Sequence, residues 1–177
     1  VTVLEPDDIK YHLQKALHLA TTGRKGPVWL DIPLDVQGSV VEEGDLRGYD
    51  VPAQEIETER LAQKARYALE LLAKAKRPVI LLGNGVRLSS CEDAFDRLID
   101  KLKIPVLATW KAADLIFENH DLYCGKPGAI GQRGANFTQQ NSDWIMCLGA
   151  RLDLCQVAHN YPNFAREAKK IIVDIDA

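Results

Sequence analysis

The fold is decided by residues 125–153, GKPGAIGQRGANFTQQNSDWIMCLGARLD. This stretch opens with a glycine-punctuated loop, continues through an amide-rich segment that predicts a helix, and then enters the apolar strand WIMCL. The strand ends at Gly149, and Arg151 and Asp153 follow within four residues. A turn, a guanidinium and a carboxylate at one sheet edge indicate a site for a phosphorylated or nucleotide-like ligand.

Further helix–strand pairs flank this stretch on both sides. Amphipathic helices are predicted at residues 59–75 and 91–102, and a short helix at 164–169. The apolar runs that predict strands are residues 79–82, 104–109, 144–148 and 170–176. In the first helix, the face expected to be buried consists of Leu61, Ala65, Ala68, Leu69 and Leu72. Four strands separated by helices predict an α/β fold with a parallel, doubly wound sheet.

The chain is predicted to contain parts of two domains. Residues 1–37 give a helix from Ile9 and a short buried strand at 28–32, which cannot close a core by themselves. We therefore interpret residues 1–37 as the C-terminal remnant of another domain. Residues 38–58 lack any sustained period and are predicted to be a linker. Residues 59–177 form the second domain, which we expect to be truncated because the chain stops just after a strand.

Composition excludes several classes of function. A net charge of −3 gives no reason to expect a nucleic acid or an anionic membrane as partner. The four cysteines show no Cys-x-x-Cys pairing, and no apolar run approaches the length of a membrane span, so we expect a reduced, cytoplasmic protein. The four histidines have no metal-ligand spacing, and no Ser-His-Asp or Cys-His arrangement is evident. The motifs therefore predict a binding edge without a catalytic centre or a metal site.

Candidate ligand-binding residues lie where strands end or helices begin, because ligands of such sheets bind outside the carboxyl ends of the strands. They are Gly83, Asn84, Gly85, Gln132, Arg133, Gly134, Arg151, Asp153, Asp174 and Asp176. Each has an alternative role. The glycines also suit a plain strand-to-helix turn, Arg133 a surface ion pair, and Arg151 with Asp153 an internal ion pair. Asp174 and Asp176 alternate around one residue, so at most one of them is expected to reach the ligand.

Several segments resemble the acetolactate synthase-like family of thiamine diphosphate enzymes. Residues 26–37, GPVWLDIPLDVQ, resemble the closing segment of the pyrimidine-binding domain of these enzymes, and residues 77–176 resemble their Rossmann-like central domain. The most specific parts are GQRGANFTQQNSD at 131–143, GARLD at 149–153 and VDID at 173–176. Two positions depart from the family's pattern. Asn84 stands where acetolactate synthases commonly have a glycine, and Arg133 stands where they commonly have a histidine.

The resemblance implies a piece of a larger transferase or lyase, a 2-oxo acid carboligase or decarboxylase that uses thiamine diphosphate and Mg²⁺. The catalytic glutamate and the Gly-Asp-Gly metal motif of the family match no position here, so no catalytic residue is carried over. The central domain of these enzymes holds FAD, and in relatives ADP or nothing, at positions that match the candidate residues. The family also implies a homo-oligomer, a dimer or tetramer.

Two other interpretations remain open at the level of sequence. One is a stand-alone nucleotide-binding module without catalysis, against which the unpartnered strand at 28–32 argues. The other is an NAD-dependent enzyme with a similar sheet. The glycine fingerprint G-x-G-x-x-G of such enzymes is incomplete here, because Arg87 and Leu88 follow Gly85 without a third glycine.

Overall fold

The computed structural model describes residues 1–53 and 57–176 and consists of two compact units. The first unit contains residues 1–53 together with Asp176, and the second contains residues 57–175. Each unit is described by itself. None of the helices in the described ranges combines the length and the apolar character needed to cross a membrane.

The first unit is built on helix α1, Ile9–Thr21, and the short helix α2, Leu34–Gln37. The predicted helix from Ile9 is therefore confirmed. The predicted buried strand at 28–32 is wrong, because this segment forms only an isolated parallel bridge, between Thr2 and Asp31. Within the described residues, the backbone pairing to this segment comes from residues 1–3, and Trp29 remains 81% exposed.

Part of the expected linker packs on α1. The Arg47 guanidinium lies 4.4 Å from the centroid of the Tyr11 ring, and the Tyr49 ring meets the same ring edge-on at 5.5 Å. The backbone N–H of Tyr49 also donates to Oε1 of Gln14 at 2.8 Å. Residues around 47–49 are thus ordered against the helix. Positions 54–56 of the expected linker lie outside the described residues, and the assignment of residues 1–37 to a pyrimidine-binding domain stays a prediction.

The second unit is organised around a four-stranded parallel sheet, as predicted from the alternation of helices and strands. The helices are α3 Thr58–Leu72, α4 Gly85–Leu88, α5 Glu92–Leu102, α6 Arg133–Gln140 and α7 Leu154–Val157. The strands are β1 Pro78–Leu82, β2 Val106–Ala108, β3 Trp144–Leu148 and β4 Lys169–Val173. Their order is β2-β1-β3-β4, with Leu81 opposite Cys147 and Cys147 opposite Ile172.

Alternate residues of the strands pack into two apolar layers, one on each face of the sheet. Leu81, Ile145 and Cys147 face a layer completed by Ala135 of α6 and Val157 of α7. The other layer takes Ile80, Leu82 and Trp144 from the strands, with Phe95 and Ile99 from α5. Both faces are covered at β1, β2 and β3, which explains why these strands are continuous apolar runs in the sequence, whereas β4 at the edge stays largely exposed.

Four local predictions differ from the structure. On α3, Ala68 is buried and Leu71 and Leu72 are half-buried, but Leu61, Ala65 and Leu69 are exposed, so the expected apolar face was too wide. The predicted helix at 164–169 is a turn, because Ala165 adopts a φ of +40°, a left-handed conformation that ends helical pairing. Strand β4 ends at Val173 rather than at 176, and β2 is limited to Val106–Ala108.

The free edge of β2 is covered by the segment that leads into the glycine-rich loop. The N–H of Val106 donates to the Leu122 carbonyl at 2.8 Å, and the N–H of Cys124 donates back to the Val106 carbonyl at 2.8 Å. One step further, the N–H of Ala108 donates to the Gly125 carbonyl at 3.1 Å. This pairing brings the start of the glycine-rich loop to the carboxyl end of the sheet.

Candidate functional site

The strand order places a topological switch point between β1 and β3. From β1 the chain crosses to β2 on one side, and β3 lies on the other side, so the loops that follow β1 and β3 diverge from a common place. These loops carry Gly83-Asn84-Gly85 and Gly149-Ala150-Arg151. The sheet therefore brings the predicted residues of both loops together at its carboxyl edge.

At this switch point the two loops pack backbone against backbone. A Cβ on Gly83 would lie 2.1 Å from the Gly149 carbonyl oxygen, and one on Gly85 would lie 2.6 Å from the Gly149 Cα. The N–H of Gly83 donates to the Leu148 carbonyl at 2.8 Å, and that of Gly85 to the Gly149 carbonyl at 3.1 Å. Close packing of the two loops therefore explains why positions 83 and 85 are glycines. To bind a phosphate, the N–H group of Gly83 or of Gly85 would first have to give up its hydrogen bond to the loop after β3.

Asn84 is held by Arg87, a residue for which no role was predicted. Nη1 of Arg87 donates to Oδ1 of Asn84 at 2.9 Å and to the Lys111 carbonyl at 3.2 Å. Nη2 of the same guanidinium forms an ion pair with Oδ2 of Asp114 at 2.7 Å. The hydrogen bond from Arg87 holds the pKa of the Asp114 carboxyl below its usual value. Arg87 thus joins the loop after β1 to the loop after β2.

Gln132 precedes the first turn of α6 and fixes the glycine-rich loop. Its Oε1 accepts from the Lys126 N–H at 2.8 Å, while its own N–H donates to the Lys126 carbonyl at 2.8 Å. Asn136 acts in the same way one turn later. Its Oδ1 accepts from the Gly128 N–H at 2.9 Å, and its Nδ2 donates to the Gly128 carbonyl at 3.0 Å. The loop is also joined to α7, where the Cys155 carbonyl accepts from the Ala129 N–H at 2.7 Å.

The start of α6 is an open, electropositive position. The N–H groups of Arg133 and Gly134 belong to the first turn of the helix and have no acceptor among the residues that the structure describes. The Arg133 guanidinium lies 5.3 Å from the centroid of the Phe137 ring. It forms no ion pair within the described ranges, so the surface ion pair considered as its alternative role is not formed. A Cβ on Gly134 would meet nothing within 4 Å.

Arg151 and Asp153 have separate roles in the loop after β3. Oδ1 of Asp153 accepts from the Gln156 N–H at 3.1 Å, so this carboxylate caps the N-terminus of α7. Arg151 is exposed and has no ion-pair partner in the described part of the chain. The internal ion pair of the alternative interpretation is therefore not formed, and the Arg151 guanidinium is available to an anionic ligand.

The two acidic residues that follow β4 also separate. Asp174 stays near the end of β3, because the N–H of Gly149 donates to the Val173 carbonyl at 2.8 Å. Its Oδ1 accepts from the Ile175 N–H at 2.8 Å. Asp176 groups with the first unit, where its carboxylate pairs with the Arg24 guanidinium. That at most one of the two carboxylates reaches a ligand stays a prediction.

The carboxyl edge of the sheet thus assembles Gly83–Gly85, Arg151, Asp153 and Asp174. The start of α6 lies at the same edge, because the glycine-rich loop is hydrogen-bonded to the end of β2 at Ala108 and to Gln132 just before α6. Among the described residues, no three His, Cys, Asp or Glu side chains lie close enough to hold a metal ion. Sequence reasoning missed Arg87 and Asn136. The only signal for Asn136 was its position in the first turn of a helix after a glycine-rich loop.

Comparison with known proteins supplies independent information. The family model described as "Thiamine pyrophosphate enzyme, central domain" matches residues 65–177. The acetolactate synthase large subunit of Corynebacterium glutamicum is 35% identical over 98% of this chain, which covers 28% of that protein. The probable acetolactate synthase large subunit of Methanocaldococcus jannaschii is 34% identical over 98% of this chain and 30% of its own length. The chain therefore spans less than a third of these relatives.

Proposed function

Because the chain belongs to the thiamine pyrophosphate enzyme family through the central domain of that family, we propose that it serves an acetolactate synthase-like enzyme. The reaction of the whole protein would join or cleave a bond next to the carbonyl of a 2-oxo acid. The likeness to acetolactate synthase large subunits over almost the full chain supports this proposal. The cytoplasm is the expected location, and a homo-oligomer is the expected assembly.

Thiamine diphosphate would supply the carbon nucleophile of this reaction, with Mg²⁺ on its diphosphate. The resemblance assigns none of this chain's residues to those two groups, and the role proposed for these residues is to bind a nucleotide and to support the rest of the enzyme. FAD and ADP are the candidate ligands. Both carry a diphosphate, for which the carboxyl edge of the sheet offers a suitable set of donors.

The observation that carries the nucleotide proposal is the unpaired Arg151 at the switch point. This guanidinium is exposed and has no ion pair in the described ranges. A diphosphate bound there would gain charge-assisted hydrogen bonds without breaking an existing ion pair. The free N–H groups of Arg133 and Gly134 add a second donor set at the same edge. Asp174 is the candidate acceptor for a ribose hydroxyl.

The test is a titration of the chain with FAD, ADP and NAD by calorimetry, alongside the Arg151→Ala variant. Arg97 provides the matched control, since it is also an exposed arginine, on α5, without an ion pair among the described residues. We expect micromolar binding of FAD or ADP, a loss of about tenfold or more in Arg151→Ala, and no change in Arg97→Ala.

Other outcomes distinguish the alternatives. Preferential binding of NAD would reject FAD and ADP as the ligands of this edge, while the family membership would stand. If none of the three nucleotides binds, the family membership stands, but the central domain is then a structural spacer and the proposed site is wrong. Equal losses in Arg151→Ala and Arg97→Ala would show that only the net charge matters and would reject a specific role for Arg151.

A further inference from the structure

Arg87, on α4, links the loop after β1 to the loop after β2 through its side chain. Its guanidinium donates hydrogen bonds to Asn84 after β1 and to the Lys111 carbonyl after β2, and it forms an ion pair with Asp114. The three distances lie between 2.7 and 3.2 Å. One planar guanidinium thus donates to three acceptors at the same time. The single ammonium group of a lysine does not have this geometry. The N–H of Thr109 already joins the ends of β1 and β2 through the Leu82 carbonyl, and the Arg87 guanidinium adds a side-chain link between the loops that follow.

We infer that Arg87 is a positioning residue for the nucleotide site, an inference that rests on the nucleotide binding proposed above. Asn84 supplies the polar side chain of the Gly83–Gly85 loop, and its Oδ1 accepts a hydrogen bond from Arg87. This bond fixes the direction of the Asn84 amide N–H groups at the switch point. The same guanidinium fixes the backbone at Lys111, beside the carboxyl end of β2. A site that is ordered before the ligand arrives loses less entropy on binding.

Bracing of the fold is a weaker explanation of these contacts. The side chains of Arg87 and Asp114 are 38% and 76% exposed, so their ion pair is screened by water and contributes little to stability. Each loop is already anchored from below by an apolar residue, Val86 in one and Ala112 in the other, and both are buried. Removing the guanidinium should therefore leave the fold intact and disturb the relative position of the two loops.

The experiment measures ADP and FAD affinity of the chain, by calorimetry, for wild type, Arg87→Ala, Arg87→Lys and Asp114→Asn. We expect about a tenfold loss of affinity in Arg87→Ala and about threefold in Arg87→Lys, because lysine keeps the ion pair but cannot bond all three acceptors. Asp114→Asn should lose less than Arg87→Ala, since the bonds to Asn84 and Lys111 remain. Arg97→Ala is the control and should bind as the wild type does.

Two further readouts separate positioning from a structural role. Urea unfolding should give nearly the same midpoint for wild type and Arg87→Ala. Amide hydrogen exchange should rise in Arg87→Ala at residues 84 and 111–114 and nowhere in the core strands. Unchanged exchange in both loops, or unchanged affinity in Arg87→Ala, would overturn the inference while wild-type binding leaves the proposed function standing. If the wild type binds neither nucleotide, the proposed function fails and this inference fails with it.

Discussion

Gly85 and Gly149 are in direct backbone contact across the switch point: a Cβ on Gly149 would lie 2.6 Å from the Cα of Gly85. Gly149 also adopts a φ of +57°, in the left-handed region that side chains disfavour. The loops after β1 and β3 can approach this closely only because neither contact residue carries a side chain. Their junction is the fixed point around which the candidate site is arranged.

Replacing Gly149 by alanine should destabilise the second unit strongly. The added methyl group meets backbone atoms that cannot rotate away, and the left-handed conformation adds its own cost, so we expect a loss of about 3 kcal/mol in the free energy of unfolding. Urea unfolding monitored by circular dichroism measures this loss. Gly134→Ala is the matched control, because nothing lies within 4 Å of its Cβ position on α6.

Gly134→Ala should be stabilising by about 0.5 kcal/mol or more, since alanine is the better helix residue. A Gly149→Ala variant as stable as the wild type would show that the two loops separate easily. The switch point would then not be the rigid junction described above.

The architecture could be predicted from the sequence because it follows from periodicity. Buried strands covered on both faces appear as apolar runs, and β1 and β3 were located within a residue of their observed bounds. The helix at 164–169 could not be excluded in this way. Its residues have good helix propensity, but Phe164 and Ala165 are buried in the apolar layer on the sheet and Ala165 is left-handed, and neither property follows from the local sequence.

The candidate site could be predicted only in outline. Parallel strands bring their carboxyl ends to one edge, so the positions of Gly83, Arg151 and Asp174 followed from topology. Whether a polar side chain is free or engaged depends on contacts between residues distant in sequence. Asp153 proved to be the cap of α7, and Arg87 proved to be bonded to residue 114, 27 positions later in the chain. No local pattern predicts those pairings.

Asp143 is expected to stabilise the opposite edge of the sheet in a pH-dependent way. Its Oδ2 and Oδ1 accept from the N–H groups of Lys76 and Arg77, both at 2.8 Å. Burial by itself raises the pKa of this carboxyl, but the bonds from Lys76 and Arg77 outweigh it, and the pKa is lowered below its ordinary value. A carboxyl with a lowered folded-state pKa stabilises the fold when it is ionised.

The Asp143→Asn variant should therefore lose about 1 kcal/mol at neutral pH, a modest value because the carboxyl is partly exposed to water. The difference from wild type should be complete above the unfolded-state pKa of about 4 and should vanish as the pH falls through the lower folded-state pKa. Urea unfolding of both proteins at a series of pH values from 7 downward measures this difference. Asp100→Asn, at an exposed ion pair with Lys103, should change stability little.

Cysteine reactivity should divide the chain into exposed and protected thiols. Cys147 is buried in β3, and this burial raises the pKa of its thiol to about 12. Cys91 and Cys155 are exposed. With iodoacetamide at pH 8, mass spectrometry should find Cys91 and Cys155 alkylated in the native chain, and Cys147 alkylated only after unfolding. Alkylation of Cys147 at the rate of Cys91 would contradict the packing of this strand.

A buried pair of amides joins α6 to α7. Gln139 and Gln156 are only 3% and 7% exposed, and Nε2 of Gln156 donates to Oε1 of Gln139 at 3.2 Å. Because α6 begins at the open N–H groups and α7 is capped by Asp153, this bond fixes two helices that carry candidate site residues. Buried polar groups that lose their partner are costly, whereas removal of both partners can be nearly neutral.

We therefore expect Gln139→Leu and Gln156→Leu each to lower the free energy of unfolding by about 1 to 3 kcal/mol, with the double variant losing less than the sum. Each single change leaves one amide buried without its partner, and the double change removes both. Urea unfolding of the four proteins gives the coupling energy directly. Gln63→Leu, at an exposed position of α3, is the control for adding leucine and should be close to wild type. Strictly additive losses would show that the two amides do not depend on each other, and the link between α6 and α7 would then rest on other contacts, such as the apolar layer that contains Ala135 and Val157.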